Sequence, residues 1–344
     1  MKRYNVAIVG ATGAVGKELI TLLGERKFPL KSLRLLASSR SKGMTMDTPM
    51  GPVVVEETTS ESFDGIDVAF FSAGGSVSKQ FAPIAVQSGA LVIDNTSAFR
   101  LDPDVPLVVP EVNAEAVRHH KGVISNPNCS TTIMAVAIKP IHDQAKIKRI
   151  VVSTYQAVSG AGVKAITALE HESRSHLAGE PVEPAVLPYA SAPTHHQIAF
   201  NLIPHIDVFD EMGYTKEEWK MVKETQKIMN CPEMAITATT VRVPVFRCHS
   251  ESINIETERK LTASEAREIL SQASGIKVVD DPEQCIYPMP AHLSGSDEVF
   301  VGRIREDNSI EKGLNLWVVG DQIRKGAALN SLQIVEYMIS EALV

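Results

Sequence analysis

The stretch that decides the fold lies at the start of the chain and reads Tyr4-Asn-Val-Ala-Ile-Val9, Gly10-Ala-Thr-Gly-Ala-Val-Gly16 and Lys17-Glu-Leu-Ile-Thr-Leu-Leu23. The first segment is short and mostly apolar, which predicts a strand, and the third has a helical pattern. A strand, a glycine-rich turn and a helix in this order are the context of a dinucleotide-binding fingerprint, here spaced G-x-x-G-x-x-G instead of G-x-G-x-x-G. Gly10 would make the tight turn, Gly13 would admit a pyrophosphate, and Gly16 would allow close helix–strand packing. The alternative is a plain strand–helix turn that contains three glycines.

The segment after the second predicted strand, Leu33–Ala37, indicates which dinucleotide is bound. In an NAD site an acidic residue near the end of this strand bonds the ribose 2′-hydroxyl. Here the strand is followed by Ser38-Ser-Arg-Ser-Lys-Gly43, which contains two cations, three hydroxyls and no acid. This composition suits a 2′-phosphate, so we predict NADP as the cofactor. A solvated basic loop is the alternative interpretation.

Two further apolar segments, 67–71 and 90–94, predict buried parallel strands. Small and polar residues follow both, as expected at the carboxyl edge of a doubly wound sheet, where ligands bind. Arg100 follows the second of these strands, and it is either an anion clamp or an exposed structural arginine. The fold class predicted for this half is α/β, with a Rossmann-like doubly wound parallel sheet.

Composition excludes several classes of protein. The chain has 344 residues, 22% of them charged and 44% hydrophobic, with a net charge of −7; this length predicts about two domains. No long basic tract points to nucleic acid, and no apolar run reaches the roughly 18 residues of a membrane span. The four cysteines form no C-x-x-C pair, and the amino terminus reads as a strand instead of a signal peptide. We therefore expect a cytoplasmic protein without nucleic-acid or membrane partners.

The segment around Cys129 is the strongest candidate for chemistry, and it reads Ser125-Asn-Pro-Asn-Cys-Ser-Thr131. Pro127 disfavours helix at Asn126, whereas Asn, Ser and Thr are good N-cap residues and the apolar run that follows can be helical. Cys129 is therefore predicted where a loop becomes a helix N-terminus. The helix dipole there favours the thiolate, which is the nucleophilic form. The alternative is a small buried cysteine with no chemical role.

The second half of the chain contributes more polar candidates. A strand over 150–155 leads into Gln156, which could offer its amide to a substrate, and residues 171–196 look loop-like. His171 and His176 nearly reproduce the H-E-x-x-H zinc motif, but their spacing is one residue too long, and we predict no metal site. Helices are predicted from capping boxes that open at Thr215 and Thr262, two strands over 299–305 and 313–319, and a final helix with an apolar stripe from 328.

The sequence places two pairs of polar residues in this half, and their roles depend on whether the members of each pair face the same pocket. Glu217 and Lys220 share a helix face, as many solvated surface pairs do. Residues 238–255 look like one strand, in which Arg242 and His249 would point to opposite faces because seven is odd. Both could reach one pocket only if the strand bends, for example at Pro244. His249 is then either a general base or a structural histidine.

Several motifs taken together resemble the aspartate-semialdehyde dehydrogenase family. They are Gly-Ala-Thr-Gly-Ala-Val-Gly at 10–16, Ser-Asn-Pro-Asn-Cys-Ser-Thr at 125–131, Thr-Tyr-Gln-Ala-Val-Ser-Gly-Ala-Gly at 154–162, Arg-Val-Pro-Val at 242–245 with Cys-His-Ser-Glu at 248–251, and Asp-Gln-Ile-Arg-Lys-Gly-Ala-Ala at 321–328. The resemblance spans nearly the whole chain in order. It implies NADPH-dependent reductive dephosphorylation of 4-phospho-L-aspartate to L-aspartate 4-semialdehyde, in the biosynthesis of lysine, methionine and threonine. It also implies a homodimer, sometimes a dimer of dimers.

The resemblance assigns roles residue by residue. Cys129 would be the nucleophile that forms an acyl-thioester, His249 the general acid/base, and Gln156 a substrate-positioning group. The substrate carboxylate would be held by Arg242, its amine by Glu217, and its phosphate by Arg100 and Lys220 with Asn128 nearby. The implied cofactor contacts are Thr12, Gly13, Ala14, Val15, Arg40, Ser41, Ser159, Gly160 and Gln322.

The domain organisation expected from these motifs is an NADP-binding Rossmann-like domain, residues 1–129 and 326–344, and an α+β catalytic and dimerisation domain, residues 130–325. Two other functions compete with the dehydrogenase. An N-acetyl-glutamyl-phosphate reductase would share fold and thiol chemistry, but Glu217 argues for a substrate with a free amine. A non-catalytic dinucleotide-binding regulatory protein would not need the set Cys129, Gln156, Arg242 and His249.

Overall fold

The computed structural model describes residues 2–344 and divides into two compact units, Met1–Asn128 with Gly326–Val344, and Cys129–Lys325. The strands are β1 (Tyr4–Val9), β2 (Leu30–Ala37), β3 (Thr45–Thr48), β4 (Gly51–Glu57), β5 (Val68–Phe71), β6 (Leu91–Asp94), β7 (Val123–Ser125), β8 (Ile147–Gln156), β9 (Ala235–Arg242), β10 (His249–Thr257), β11 (Ile276–Val278), β12 (Val299–Asp307) and β13 (Gly313–Gly320). The helices are α1 (Ala14–Glu25), α2 (Gly75–Gln87), α3 (Pro110–Asn113), α4 (Cys129–Ala145), α5 (Val163–Ala178), α6 (Lys216–Ile228), α7 (Ala263–Ser271) and α8 (Leu329–Ser340).

The first unit is built on a seven-stranded sheet in the order β3-β4-β2-β1-β5-β6-β7. Its strands pair in parallel except for the β3–β4 hairpin at one edge. The order reverses beside β1, which is the switch point where a doubly wound sheet opens a crevice for ligands. The Rossmann-like sheet predicted from the sequence is therefore confirmed, and β1 begins and ends where the sequence pattern placed it.

The core of this unit lies on both faces of the sheet. One apolar cluster joins β1, β2 and α1 to the last helix, α8, through side chains such as Leu19, Leu35 and Leu332. The other cluster lies under α2 and contains Phe63 stacked on Phe71 at 5.8 Å between ring centroids. Helix α8 thus belongs to the core of the dinucleotide-type unit although nearly 200 residues separate it from the rest, because its apolar stripe fits against α1 and β1.

The second unit contains a mixed six-stranded sheet in the order β11-β12-β13-β10-β8-β9. The long helix α4 packs on the β8–β10–β12–β13 surface and is buried along most of its length. Both predicted capping boxes are present, Thr215 with Glu218 at the start of α6 and Thr262 with Glu265 at the start of α7. The predicted α+β class of this half is confirmed.

Two sequence-based predictions for the second unit are wrong. Residues 171–178 are not loop but the end of α5, which Gly179 terminates in the left-handed conformation. The polar and histidine-rich composition concealed a narrow buried stripe, Ala165, Leu169 and Glu172. Residues 238–255 are not one strand, because the chain leaves β9 after Arg242 and re-enters the sheet as β10 at His249.

Candidate active site

The glycine-rich turn after β1 has the geometry predicted for Gly10 and Gly16. Gly10 has a φ of +90°, and a Cβ built there would lie 2.9 Å from the backbone of Ser72 and Ala73. A Cβ on Gly16 would lie 2.4 Å from the Gly10 carbonyl oxygen, so helix α1 can start this close to β1 only with glycine at 16. A Cβ on Gly13 would meet only the Gly10 oxygen, at 3.3 Å. The turn therefore presents open backbone at the amino end of α1, where N–H groups and the helix dipole favour phosphate.

A cavity of about 600 Å³ lies at the carboxyl ends of β1, β2, β4 and β5. Thr12, Gly13, Ser39 and Arg40 line it, together with Glu57 from β4. Its volume lies in the range of cavities that bind cofactors. Of the other predicted contacts in this unit, Ala14 and Val15 begin α1, and Ser41 ends the short 3₁₀ turn that carries Arg40. Glycine backbone, hydroxyls and one guanidinium are the chemistry that an adenosine phosphate requires.

Arg100 is a buried residue of the first unit, with 7% of its surface exposed, and not an exposed structural arginine. Its Nε donates to the Asn126 carbonyl oxygen at 2.9 Å, and its Nη2 donates to the Asn95 carbonyl oxygen at 2.8 Å. Asn330 at the start of α8 donates to the Asn126 side-chain oxygen at 2.7 Å. This network fixes the segment that leads to Asn128, and no sequence pattern indicated the contribution of Asn330.

Cys129 is the first residue of α4 and is partly exposed, as expected for a residue where a loop becomes a helix. The residues after it in α4 are buried, so the helix start is held firmly. Burial lowers the pKa of the Arg242 guanidinium, whereas Glu217 and Cys129 act in the opposite direction. Cys129 and Arg242 are therefore close enough to interact electrostatically.

His249 is fully buried at the start of β10. The Ala157 backbone N–H donates to His249 Nδ1 at 3.0 Å, so a neutral imidazole carries its proton on Nε2. Burial and the neighbouring Arg242 lower the pKa of His249 to about 3, with Glu217 opposing them. His249 Nε2 has no hydrogen-bond partner within residues 2–344 and is thus a prepared donor.

Arg242 and His249 reach the same place because the chain is interrupted between β9 and β10. A Cβ built on Gly160 would lie 3.1 Å from Arg242 Nη1 and 3.2 Å from His249 Nε2. Arg242 Nη1 also donates to the Ala157 carbonyl oxygen at 2.8 Å, so one backbone segment holds both side chains. The sequence-based condition for a shared pocket, a bend in the strand, is met by the break that contains Pro244.

Gln156, Glu217 and Lys220 form a chain of contacts in the second unit. Gln156 Nε2 donates to Glu217 Oε1 at 3.3 Å, and Lys220 Nζ donates to Glu217 Oε2 at 3.0 Å. Lys220 also donates to Asp207 at 3.0 Å, a residue that the sequence did not single out. Although burial opposes it, the two carboxylates raise the pKa of Lys220 above its ordinary value. The pair 217–220 is thus part of a half-buried charge cluster and not a solvated surface pair.

Gln322 and Ser159 contact each other. Gln322 Nε2 donates to Ser159 Oγ, and its Oε1 accepts from the backbone N–H of Cys248 at 2.8 Å. Cys248 has a left-handed φ of +74°, so this bond holds an uncommon conformation directly before His249. Burial raises the pKa of the Cys248 thiol to about 12, which makes this thiol a poor nucleophile.

Glu251 is a further buried group that the sequence did not identify. It lies two residues after His249 on β10 and is fully buried. Neither of its carboxylate oxygens has a hydrogen-bond partner in the described part of the chain, and burial raises the pKa well above its usual range. A protonated, neutral carboxyl group therefore lies on the strand that carries His249.

Comparison with known proteins places this architecture in a class. A family model described as "Semialdehyde dehydrogenase, NAD binding domain" matches residues 5–120, and one described as "Semialdehyde dehydrogenase, dimerisation domain" matches residues 138–325. A dinucleotide-type sheet followed by a unit that joins a cysteine, a buried histidine and an arginine defines an oxidoreductase of the semialdehyde dehydrogenase class.

Individual relatives are more specific. The aspartate-semialdehyde dehydrogenase of Aquifex aeolicus is 54% identical over 99% of both chains, and that of Bacillus subtilis is 49% identical over 96% of both. A crystal structure of aspartate semialdehyde dehydrogenase II from Vibrio cholerae, complexed with ASA, superposes with a TM-score of 0.93 at 47% identity over 99% of both chains. The chain belongs to the aspartate-semialdehyde dehydrogenase family. The resemblance predicted from the motifs is confirmed, and neither alternative function is favoured.

Proposed function

We propose that this chain reduces 4-phospho-L-aspartate to L-aspartate 4-semialdehyde with NADPH, and that Cys129 is the nucleophile. The observation that carries the proposal is the convergence on one segment of the second unit. Ala157 holds both His249 and Arg242, and Arg242 interacts electrostatically with Cys129 at the start of α4. A thiolate, a neutral hydrogen-bond donor and a carboxylate-binding cation are the three groups that reduction of an amino-acid acyl phosphate requires.

The thiolate divides the reaction into two steps. Cys129 Sγ attacks the acyl carbon, the bond from that carbon to the phosphate oxygen breaks, and phosphate leaves as a thioester forms. NADPH, when bound, supplies the hydride that reduces the thioester to the aldehyde. The thiolate is regenerated when the carbon–sulfur bond breaks and the semialdehyde leaves.

His249 offers a hydrogen bond from Nε2–H. Its pKa of about 3 keeps the imidazole neutral at physiological pH, and the Ala157 N–H fixes the tautomer that carries the Nε2 proton. In this form Nε2–H can donate to the acyl oxygen as negative charge develops there. The neutral ring, unlike an imidazolium, adds no positive charge that would compete with Arg242 for the substrate carboxylate.

The other charged groups match a substrate that carries a carboxylate, an amine and a phosphate. Arg242 suits bidentate carboxylate binding, Glu217 accepts from the amine, and Lys220 acts as a point charge for phosphate. Gln156, only 2% exposed and hydrogen-bonded to Glu217, positions the substrate beside Cys129. Arg100 and Asn128 of the first unit are assigned to phosphate as well.

NADP fits the residues present in the first unit. Gly13 leaves open backbone where a pyrophosphate would bind, and the cavity of about 600 Å³ brings Arg40 together with hydroxyl groups. Thr12, Ala14 and Val15 belong to the same turn and helix start, and Ser41 to the turn with Arg40. In the second unit, Ser159, Gly160 and Gln322 are assigned to the cofactor, and the contact of Gln322 with Cys248 gives it a second, structural role.

We assign a cytoplasmic location and a homodimeric state. The dimer is supported by the description of the family model that covers residues 138–325. No helix in residues 2–344 is long and apolar enough to cross a membrane. Residues 1–129 with 326–344, and 130–325, are assigned to the cofactor and the catalytic domains respectively.

The test runs the reaction in reverse. Purified protein is mixed with L-aspartate 4-semialdehyde, phosphate and NADP, and absorbance of the reduced cofactor is followed. We expect phosphate-dependent reduction that is abolished in Cys129→Ser and retained in Cys285→Ser, a matched variant of the exposed cysteine. Activity that persists in Cys129→Ser would refute the thioester. A signal only with N-acetyl-glutamate semialdehyde would refute the substrate assignment.

A further inference from the structure

The cofactor cavity is lined by an acidic residue, Glu57, that comes from the neighbouring strand β4 and not from the segment after β2. In NAD sites the acid that bonds the ribose 2′-hydroxyl stands at the end of the second strand. Here that strand, β2, ends at Ala37 without one, but Ala37 is the parallel register partner of Glu57, the last residue of β4. Parallel neighbours end at the same edge of the sheet, and Glu57 accordingly lines the same cavity as Ser38, Ser39 and Arg40.

The net positive charge at this edge of the sheet is smaller than the composition of residues 38–43 alone indicates. Glu57 Oε2 lies 3.5 Å from Lys42 Nζ, and the two side chains are 40% and 64% exposed. An exposed pair of this kind is weak, so the carboxylate is compensated only in part. Glu57 therefore weakens the attraction that Arg40 exerts on an anion.

The neighbouring acid, Glu56, does not share this position. Successive side chains of a strand point to opposite faces. Glu56 Oε1 lies 3.8 Å from Arg34 Nε, and Glu56 is absent from the residues that line the cavity. Glu56 and Glu57 thus form a matched pair of acids, adjacent in sequence, of which one faces the cofactor cavity.

We propose that Glu57 is the residue that limits discrimination between NADP and NAD. Its carboxylate repels a 2′-phosphate and can accept a hydrogen bond from a 2′-hydroxyl, so it counteracts Arg40 and keeps NAD within reach as a cofactor. This inference rests on the assignment of the cavity to the dinucleotide in the proposed function. It adds a specificity residue that the segment after β2 does not contain.

The test measures binding, with no catalytic turnover involved. Calorimetric titration of the full chain with 2′,5′-ADP and with 5′-AMP gives a ratio of dissociation constants that reports only on the 2′-substituent. Removing one solvated charge a few ångströms from a phosphate is worth about 5- to 10-fold. We therefore expect Glu57→Gln to shift the ratio by that factor toward 2′,5′-ADP, and the shift to shrink in high salt. The control, Glu56→Gln, should change the ratio less than twofold.

The outcomes distinguish the role of Glu57 from the assignment of the cavity to the cofactor. Equal ratios in Glu57→Gln and Glu56→Gln, with both probes binding the unmodified chain, would overturn the role of Glu57 and leave the cofactor cavity intact. Failure of both probes to bind would refute the cavity and this inference with it. In a Lys42→Met background the effect of Glu57→Gln should persist. Its disappearance would mean that Glu57 only masks Lys42, contrary to the proposed repulsion.

Discussion

A substitution at Gly160 tests the geometry of the candidate active site, because a single methyl group added there meets both Arg242 and His249. In Gly160→Ala the new Cβ would lie 3.1 Å from Arg242 Nη1 and 3.2 Å from His249 Nε2. The backbone at 160 is not in the left-handed region, so alanine fits the local conformation. The perturbation is therefore directed at two side chains of the site and not at the fold.

The size of the expected loss in kcat/KM follows from the overlap between the new methyl group and the two side chains. Carbon and nitrogen atoms in contact prefer a separation of about 3.5 Å, so each group must move by about 0.3–0.4 Å. If a displacement of about 1 Å costs about 10²-fold, 0.4 Å costs about 6-fold for Arg242 alone, and with 0.3 Å for His249 the two independent displacements cost about 25-fold. These losses in kcat/KM correspond to about 1 and 2 kcal/mol of transition-state stabilisation.

The assay is the phosphate-dependent reduction of NADP by L-aspartate 4-semialdehyde, with thermal unfolding measured on the same samples. We expect kcat/KM to fall about 6- to 25-fold, while the melting temperature stays equal or rises because alanine restricts the unfolded chain. Val163→Ala, at an exposed position at the start of α5, is the control for a change of methyl groups near the same turn. A kcat/KM for Gly160→Ala within twofold of the unmodified chain would refute the geometry described for Arg242 and His249.

Two further predictions concern buried groups on β10. His249→Ala should lower kcat by about 10²–10⁴-fold if Nε2 acts on the acyl oxygen. Because the pKa of His249 is about 3, kcat/KM of the unmodified protein should show no inflection from this histidine between pH 5 and 8. A near-normal rate in the variant would leave His249 a structural role only. Glu251 has a folded-state pKa well above 4.5, so between pH 4.5 and that raised pKa the unfolded chain loses a proton that the folded chain keeps, and this group should lower the free energy of unfolding by up to about 1.4 kcal/mol per pH unit. Glu251→Gln should remove that slope in urea titrations at pH 5, 6 and 7, and equal slopes in both proteins would contradict the raised pKa.

Local sequence patterns were sufficient for the elements whose determinants lie within a few residues. The strand–glycine–helix order at 4–25 defined β1, its turn and α1 because Gly10 and Gly16 are required by backbone atoms of the same unit. The position of Cys129 followed from Pro127 and the apolar run after it, and the capping boxes at Thr215 and Thr262 fixed two helix starts. Helix α5 was missed in part, because its buried stripe is defined by what it packs against and not by its polar composition.

What only the tertiary structure decided are the relations between residues far apart in the chain. The sequence by itself determined the family and the dinucleotide fold, and it predicted Cys129 as the nucleophile, since these depend on short motifs with fixed local geometry. It could not determine that Arg242 and His249 meet over Gly160, that Lys220 is shared by Glu217 and Asp207, or that Glu57 stands beside Ala37. Strand order and register set those neighbours. The electrostatic environment of each buried group, from the neutral His249 to the protonated Glu251, depends on which side chains exclude water around it.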